Sequence, residues 1–120
     1  MPRILMIDDD TFFLAIYKKK FEAEGFDVVT ASSGEDGLRY AADKHPDVIM
    51  LDLVMPRVDG FQVLERLKAD PATSRIPVYV CSNLCQQGDI DRCKGLGAAG
   101  YAIKSQTSPS GAVKQVKELL

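Results

Sequence analysis

The sequence predicts a doubly wound (βα)5 fold of the α/β class, in which helices cover both faces of a five-stranded parallel sheet. Three observations lead to this fold class. Short apolar runs alternate with longer segments of helical periodicity along the 120 residues. The central run, Val48–Leu51, contains no polar residue, which is typical of a strand buried on both faces. The alternation continues along the whole chain, so we expect a single domain over residues 1–120.

The first half of the chain predicts three strands and two helices. Apolar and β-branched runs indicate the strands, the first of which stops at three aspartates. Apolar residues three or four positions apart indicate the helices, which end at Gly25 and before Pro46. In chain order the elements are the strand Arg3–Ile7, the helix Thr11–Glu24, the strand Asp27–Ala31, the helix from Ser33 to His45 and the strand Val48–Leu51.

The second half continues the alternation. Residues 55–60 have the composition of a loop, and a helix-cap pattern, Ser-Pro, precedes the last apolar stripe. The elements are a helix marked by Phe61, Leu64 and Leu67, the strand Pro77–Cys81, a weak polar helix Gly88–Leu96, the strand Gly100–Ile103, and a helix after Ser108 whose inner face is Ala112, Val113, Val116, Leu119 and Leu120.

Polar side chains follow four of the predicted strands. The acids 8–10 follow the first strand, Asp52 the third, Ser82 the fourth and Lys104 the fifth. The carboxyl ends of parallel strands open on one edge of a sheet, where α/β folds place their sites. We therefore expect these groups to meet in one crevice.

The chemistry of this crevice points to phosphoryl transfer. Clustered carboxylates repel one another and need a cation. Oxygen ligands without histidine or cysteine favour a hard ion, Mg²⁺ or Mn²⁺. An aspartate can act as a nucleophile and form an aspartyl phosphate, while a hydroxyl and an ammonium stabilise the phosphoryl oxygens.

Four segments resemble the response regulator receiver domains of two-component systems. Ile7–Asp10 resembles the family's acidic pocket, and Leu51–Gly60 matches its phosphorylation loop, D-x-x-M-P-x-x-D-G. Pro77–Ser82 resembles the fourth strand, and Gly97–Lys104 resembles the fifth strand with its aromatic residue and lysine. The resemblance covers the chain in order and implies a flavodoxin-like sandwich with strand order 2-1-3-4-5.

The resemblance implies a metal site and a phosphoacceptor. Asp52 would accept the phosphoryl group. Asp9, Asp52 and the backbone carbonyl of Val54 would bind Mg²⁺ or Mn²⁺ directly, and Asp8 would bind it through water.

The resemblance also implies a switch and its partners. Ser82 and Lys104 would contact the phosphoryl group, and Tyr101 would turn inward when Ser82 moves, which would change the surface of helix 4, strand 5 and helix 5. The phosphodonor would be a sensor histidine kinase or a phosphotransfer protein. The output would go to a downstream target or to an output domain of a longer protein, since the sequence leaves open whether this chain works alone.

Four positions depart from the family pattern. Ser105 stands where the family usually has proline after the lysine, so we expect either a trans Lys104–Ser105 bond or a strained cis bond. Asn83 replaces a small residue and is expected to narrow access to the phosphoacceptor. Val54 and Leu84 are apolar and cannot orient an attacking water, which predicts slow loss of the phosphoryl group.

Composition narrows the class of protein. A formal net charge of -2 gives no electrostatic argument for nucleic acid or an anionic membrane as a partner. Three cysteines without paired spacing fit a reducing compartment, and the short apolar start does not form a signal peptide. These features predict a cytoplasmic location, and the resemblance implies a protein that acts as a signalling phosphoacceptor and not as an enzyme.

Several alternatives remain. The chain could be a pseudo-receiver, a binding module that does not use phosphate, or a small enzyme such as a flavodoxin-like protein or an aspartate-nucleophile phosphatase. Residues 95–100 match G-x-G-x-x-G but follow a helix and precede a strand, which argues against a dinucleotide site. Free thiols are expected at Cys81, Cys85 and Cys93. His45 is expected to be a loop residue before Pro46 and not a ligand or a phosphodonor.

Overall fold

The sheet contains five parallel strands in the order β2-β1-β3-β4-β5, in a computed structural model that describes all residues 1–120. This confirms the predicted fold class and strand order. The strands are β1 (Arg3–Ile7), β2 (Asp27–Ala31), β3 (Val48–Leu51), β4 (Val78–Ser82) and β5 (Gly100–Ile103).

Five α-helices alternate with the strands, and a short 3₁₀ turn, Lys104–Gln106, follows β5. Polar side chains accept hydrogen bonds from the first turn of four of the helices. These N-caps are Asp10, Ser33, Asp59 and Ser108. The helices are α1 (Thr11–Ala23), α2 (Gly34–Lys44), α3 (Gly60–Ala69), α4 (Gln87–Gly95) and α5 (Pro109–Glu118). None of them combines the length and apolar character needed to cross a bilayer.

The two faces of the sheet have separate cores. Side chains of α2, α3 and α4 pack on one face, and side chains of α1 and α5 pack on the other. All four residues of β3 are buried between the two layers, as its unbroken apolar run predicts.

Helix α4 is the least anchored of the five. Its sequence is polar, as predicted, and Cys93 is its one buried residue. By contrast, α3 buries five residues along its inner face. The packing of α4 on the sheet therefore depends on very little apolar area.

Several boundaries differ from the sequence prediction by one or two residues. Strand β4 begins and ends one residue later than expected, since Ser82 still pairs with Ile103 of β5. Helix α5 ends at Glu118, so Leu120 lies beyond it and is 54% exposed instead of lining its inner face. His45 ends α2 in the left-handed conformation, which agrees with the bias against helix before Pro46.

Strand register brings the ends of neighbouring strands level. Ile7 of β1 pairs with Leu51 of β3, so Asp8 and Asp52 leave the sheet side by side. The pairing of Ser82 with Ile103 likewise places Asn83, the residue after β4, beside Lys104. Four strand ends thus converge on the predicted edge of the sheet.

Gly60 allows the loop after β3 to lie close against α3. A Cβ atom at this position would stand 2.3 Å from the carbonyl oxygen of Asp52 and from the Cα atom of Leu53. The Gly60 N–H donates to the Leu53 carbonyl at 2.9 Å. Only glycine fits this approach, and it holds the backbone directly behind the Asp52 side chain.

Candidate functional site

Two carboxylates form the centre of the crevice. Asp8 is 2% exposed and Asp52 is 6% exposed. Backbone hydrogen bonds fix both residues, because Asp8 N donates to the Ala31 carbonyl at 3.0 Å and Asp52 N donates to the Ile7 carbonyl at 2.9 Å. Rigid strand ends therefore hold two acids side by side in a largely buried position.

Lys104 supplies the compensating positive charge. Its Nζ lies 2.7 Å from Asp8 Oδ2 and 3.4 Å from Asp52 Oδ2. The Lys104 side chain is itself only 13% exposed. A buried acid pair without such a partner would be costly.

Phe13 covers Lys104 from the first turn of α1. The Lys104 Nζ lies 4.3 Å from the centroid of the Phe13 ring, and this ring stacks on Tyr17 at 4.0 Å. A cation over an aromatic face is attracted by the quadrupole of the ring. The sequence analysis did not identify this residue, although its i, i+4 spacing from the buried Tyr17 could have placed it on the inner face of α1.

The three consecutive acids after β1 have different roles. Asp10 caps α1 and accepts from the N–H groups of Phe12 and Phe13. Asp9 is exposed, and one oxygen from each of Asp8, Asp9 and Asp52 lies within 4.8 Å of the others. This set of oxygen ligands fits a hard divalent cation.

Burial and charge oppose each other at the acid pair. Burial raises the pKa of Asp8 from 3.8 to about 6, although hydrogen bonds from Lys104 and from the Asp10 backbone lower it. Burial lowers the pKa of Lys104, but its contacts with Asp8 and Asp52 outweigh burial, and the net shift is upward. The lysine therefore stays charged at neutral pH.

Ser82 and Tyr101 are linked through Leu84. Ser82 is fully buried, and its Oγ accepts from the Leu84 N–H at 3.3 Å. The Tyr101 hydroxyl donates to the Leu84 carbonyl. Tyr101 is half-buried against the core on the α3 side of the sheet, and burial raises the pKa of its hydroxyl to about 12. The serine hydroxyl thus bonds to its own loop in this arrangement and not to Asp52.

The positions that depart from the family pattern lie around the crevice. Val54 is 57% exposed, and its N–H donates to Asp52 Oδ1 at 3.4 Å. The side chain of Asn83 is exposed, and its Oδ1 accepts from Ser105 N at 3.0 Å. The structure contains no cis peptide bond, so the Lys104–Ser105 bond is trans.

Comparison with known proteins identifies the family. A sequence profile of the response regulator receiver domain matches residues 4–114. The chain belongs to the response regulator receiver family. Receivers are signalling phosphoacceptors of two-component systems, and this membership favours that class over the two small-enzyme alternatives.

Curated relatives of this receiver differ in how much of their own length it covers. It is 42% identical over 104 residues to the DNA-binding dual master transcriptional regulator RpaA of Synechocystis sp., covering 87% of this chain and 43% of RpaA. It is 41% identical to the response regulator PleD of Caulobacter vibrioides, covering 85% of this chain and 22% of PleD. The chain thus spans less than half the length of these two relatives. It is 36% identical to the protein PilH of Pseudomonas aeruginosa, covering 87% of this chain and 86% of PilH.

Solved structures support the fold of this receiver over its full length. The chemotaxis protein CheY4 of Vibrio cholerae superposes with a TM-score of 0.93 at 23% identity and covers 100% of this chain and 99% of its own. The receiver domain of the Francisella response regulator 1452 superposes with a TM-score of 0.91 at 28% identity, covering 99% and 96%.

The remaining sequence motifs lie away from the crevice or in the core. The G-x-G-x-x-G pattern spans the end of α4 and the start of β5, as its context predicted. The cysteines are free thiols, as expected, with Cys81 and Cys93 buried and Cys85 exposed. His45 is exposed at the end of α2.

Proposed function

We propose that this receiver accepts a phosphoryl group on Asp52 with Mg²⁺ or Mn²⁺ bound beside it. One observation carries the proposal. The buried Asp52 carboxylate shares the Lys104 ammonium with Asp8 and lies within reach of a third acid, Asp9. Such a site offers a nucleophile, a place for a hard cation and a positive charge for phosphoryl oxygens.

The proposed transfer uses protein groups at the ends of the strands together with the cation. A carboxylate oxygen of Asp52 forms a bond to phosphorus as the phosphorus–nitrogen bond of a phosphohistidine donor breaks, and the imidazole nitrogen keeps the electron pair. Lys104 supports the negative charge of the phosphoryl oxygens, because its ammonium, bonded to Asp8, already lies 3.4 Å from the reacting carboxylate of Asp52.

The proposed cation would be held by oxygen atoms alone. Asp9, Asp52 and the carbonyl of Val54 would bind it directly, with Asp8 acting through water. When bound, the cation would offset negative charge on the phosphoryl oxygens. The exposure of Asp9 leaves this side of the crevice open to solvent, from which an ion can enter.

The proposed switch begins at Ser82. A phosphoryl group on Asp52 adds acceptor oxygens beside this buried hydroxyl, which now bonds to Leu84. Movement of Ser82 would shift the Leu84 backbone, whose carbonyl also holds the Tyr101 hydroxyl. The phosphorylation signal would thereby reach β5 and the weakly anchored helix α4.

The partners follow from this chemistry. A sensor histidine kinase or a phosphotransfer protein would deliver the phosphoryl group, and a downstream protein or a linked output domain would receive the signal. The formal net charge of -2 supports protein partners over nucleic acid or membrane. The three free thiols support a cytoplasmic location.

Mass spectrometry after treatment with acetyl phosphate tests the proposal. We expect one added phosphoryl group in the presence of Mg²⁺ and none in excess EDTA. Asp52→Asn should abolish the addition, whereas Asp43→Asn, at an exposed position of α2, should leave it unchanged. Phosphate on the Asp52→Asn variant would overturn the assignment, and its absence from the wild type would favour the pseudo-receiver.

A further inference from the structure

We infer that Asn83 is a positioning residue for Lys104, because its side-chain carbonyl holds the Ser105 N–H and thereby the loop that carries the lysine. This inference rests on the proposed phosphoacceptor function and adds a residue to that site. The sequence alone suggests that Asn83 narrows access to Asp52, and this inference assigns it a different role.

The register of the sheet sets up the contact. Ser82 pairs with Ile103, so Asn83 and Lys104 leave β4 and β5 side by side. Beyond this point the two loops diverge, because β4 leads to α4 on one face of the sheet and β5 leads to α5 on the other. A hydrogen bond across the two loops would hold their backbones at a fixed separation.

The hydrogen bond from Ser105 N to Asn83 Oδ1, at 3.0 Å, supplies that contact. Ser105 occupies the middle of the 3₁₀ turn that starts at Lys104. The donor exists because residue 105 is not proline, which has no N–H. The acceptor exists because residue 83 is asparagine, whose side-chain amide oxygen a small residue would lack. Two departures from the receiver pattern are therefore the two partners of one hydrogen bond.

The hydrogen bond acts on the site through the backbone of Lys104. The lysine side chain reaches from this backbone to Asp8 and Asp52, and the direction of its first bonds sets where the ammonium lies. Asn83 and Ser105 are both exposed in the folded protein, so water can replace a lost partner in a variant at little cost. Loss of the hydrogen bond should therefore affect the placement of Lys104 more than the stability of the fold.

Two variants of Asn83 separate the hydrogen bond from side-chain bulk. Asn83→Leu keeps the branched shape of the side chain without loss of bulk and removes the acceptor, whereas Asn83→Ala removes both. Ser105→Ala keeps the backbone N–H and serves as the control. The readouts are the rate of phosphorylation by acetyl phosphate with Mg²⁺, the midpoint of beryllofluoride binding, and the NMR signal of the Ser105 amide.

We expect both Asn83 variants to react about threefold more slowly and to bind beryllofluoride about threefold more weakly, which corresponds to the loss of one solvent-exposed hydrogen bond. Their Ser105 amide proton should move upfield and exchange faster, while their urea midpoints stay near the wild type. Ser105→Ala should match the wild type in phosphorylation rate, in beryllofluoride binding and in the exchange rate of the amide at position 105.

Three outcomes would overturn the inference. If Asn83→Ala reacts faster and Asn83→Leu reacts at the wild-type rate, Asn83 acts only as bulk beside Asp52. If both variants match the wild type, the hydrogen bond does not position Lys104, and the proposed function still stands. If the wild type itself takes no phosphoryl group, the proposed function fails first and the role of Asn83 fails with it.

Discussion

Lys104 donates a hydrogen bond to the buried carboxylate of Asp8, with Nζ and Oδ2 2.7 Å apart. Its contact with Asp52 is longer, at 3.4 Å. The Lys104 ammonium therefore pairs mainly with Asp8, which is not the proposed nucleophile. A phosphoryl group on Asp52 would offer the ammonium a new acceptor, and Asp8 would then be available to a cation.

Replacement of Lys104 by methionine should raise the pKa of Asp8 above its value of about 6 in the wild type. Burial would then act on the carboxyl group without the hydrogen bond and charge that oppose it. An NMR titration of the Asp8 carboxyl carbon measures the change. Lys104→Arg keeps the positive charge and should give a smaller rise. An unchanged titration in Lys104→Met would contradict the ion pair.

The cation-free protein should lose stability as the pH rises from about 4 to about 6. In this range native Asp8, with a pKa of about 6, keeps a proton that the unfolded chain, with a pKa of 3.8, has released. Asp8→Asn mimics the protonated acid, so it should remove this loss and be more stable at pH 7 by roughly 3 kcal/mol. Urea unfolding at several pH values measures the effect. Asp43→Asn should keep the wild-type dependence of the free energy of unfolding on pH. An Asp8→Asn variant that is less stable than the wild type at pH 7 would refute the prediction.

Polar residues at positions 54 and 84 should shorten the life of the aspartyl phosphate. Val54 is 57% exposed and Leu84 is half-buried, and neither side chain can hold an attacking water. Val54→Asn and Leu84→Glu should each speed the decay by about tenfold. Decay of the phosphorylated protein is followed by mass spectrometry after removal of the donor. Val54→Ala controls for size, and equal decay in all variants would show that these positions do not set the lifetime.

Gly60→Ala should destabilise the fold by about 2–3 kcal/mol, since the new methyl group would overlap the backbone of Asp52 and Leu53. Gly88→Ala is the matched control. A Cβ atom at Gly88 meets nothing within 4 Å, and alanine is the better helix former, so this change in α4 should stabilise by about 0.5–1 kcal/mol. Urea denaturation compares the two variants, and similar effects from both would argue against the close approach at Gly60.

Beryllofluoride, a mimic of the phosphoryl group, should shift the NMR signals of Ser82, Tyr101 and α4 together. The reason is the shared link through Leu84, which bonds to the Ser82 hydroxyl and to the Tyr101 hydroxyl. Ser82→Ala should confine the shifts to the loop after β3. Confinement to that loop in the wild type as well would disprove the coupling.

The fold could be predicted from the sequence because its strands and helices have distinct periodicities. The boundaries of β1, β2, β3 and β5 were predicted to the residue, since each apolar run ends at a polar or turn residue. The sequence predicts β4 one residue too early, because Pro77 adjoins the apolar run and the polar side chain of Ser82 is typical of a loop residue. Leu120 was wrongly placed on the inner face of α5 because periodicity does not show where a helix ends.

The positions of the site residues could be predicted only in part. Strand ends placed Asp8, Asp52 and Lys104 at one edge, but pairing of the lysine with Asp8 depends on side-chain directions that sequence patterns do not contain. The cation–π contact with Phe13 and the hydrogen bond of Asn83 join segments about 90 and 22 positions apart in sequence. Such contacts depend on register and on how loops diverge, and no local signal marks them.

Helix α4 has Cys93 as its one buried residue. Most substitutions along this helix therefore change exposed side chains, and changes of that kind seldom cost enough stability to be removed by selection. Mutational drift can accumulate on α4 faster than on α3, whose inner face is held by five buried residues. If α4 forms part of the output surface, a duplicated gene could acquire a new partner there while its folding and its acidic crevice stay as they were.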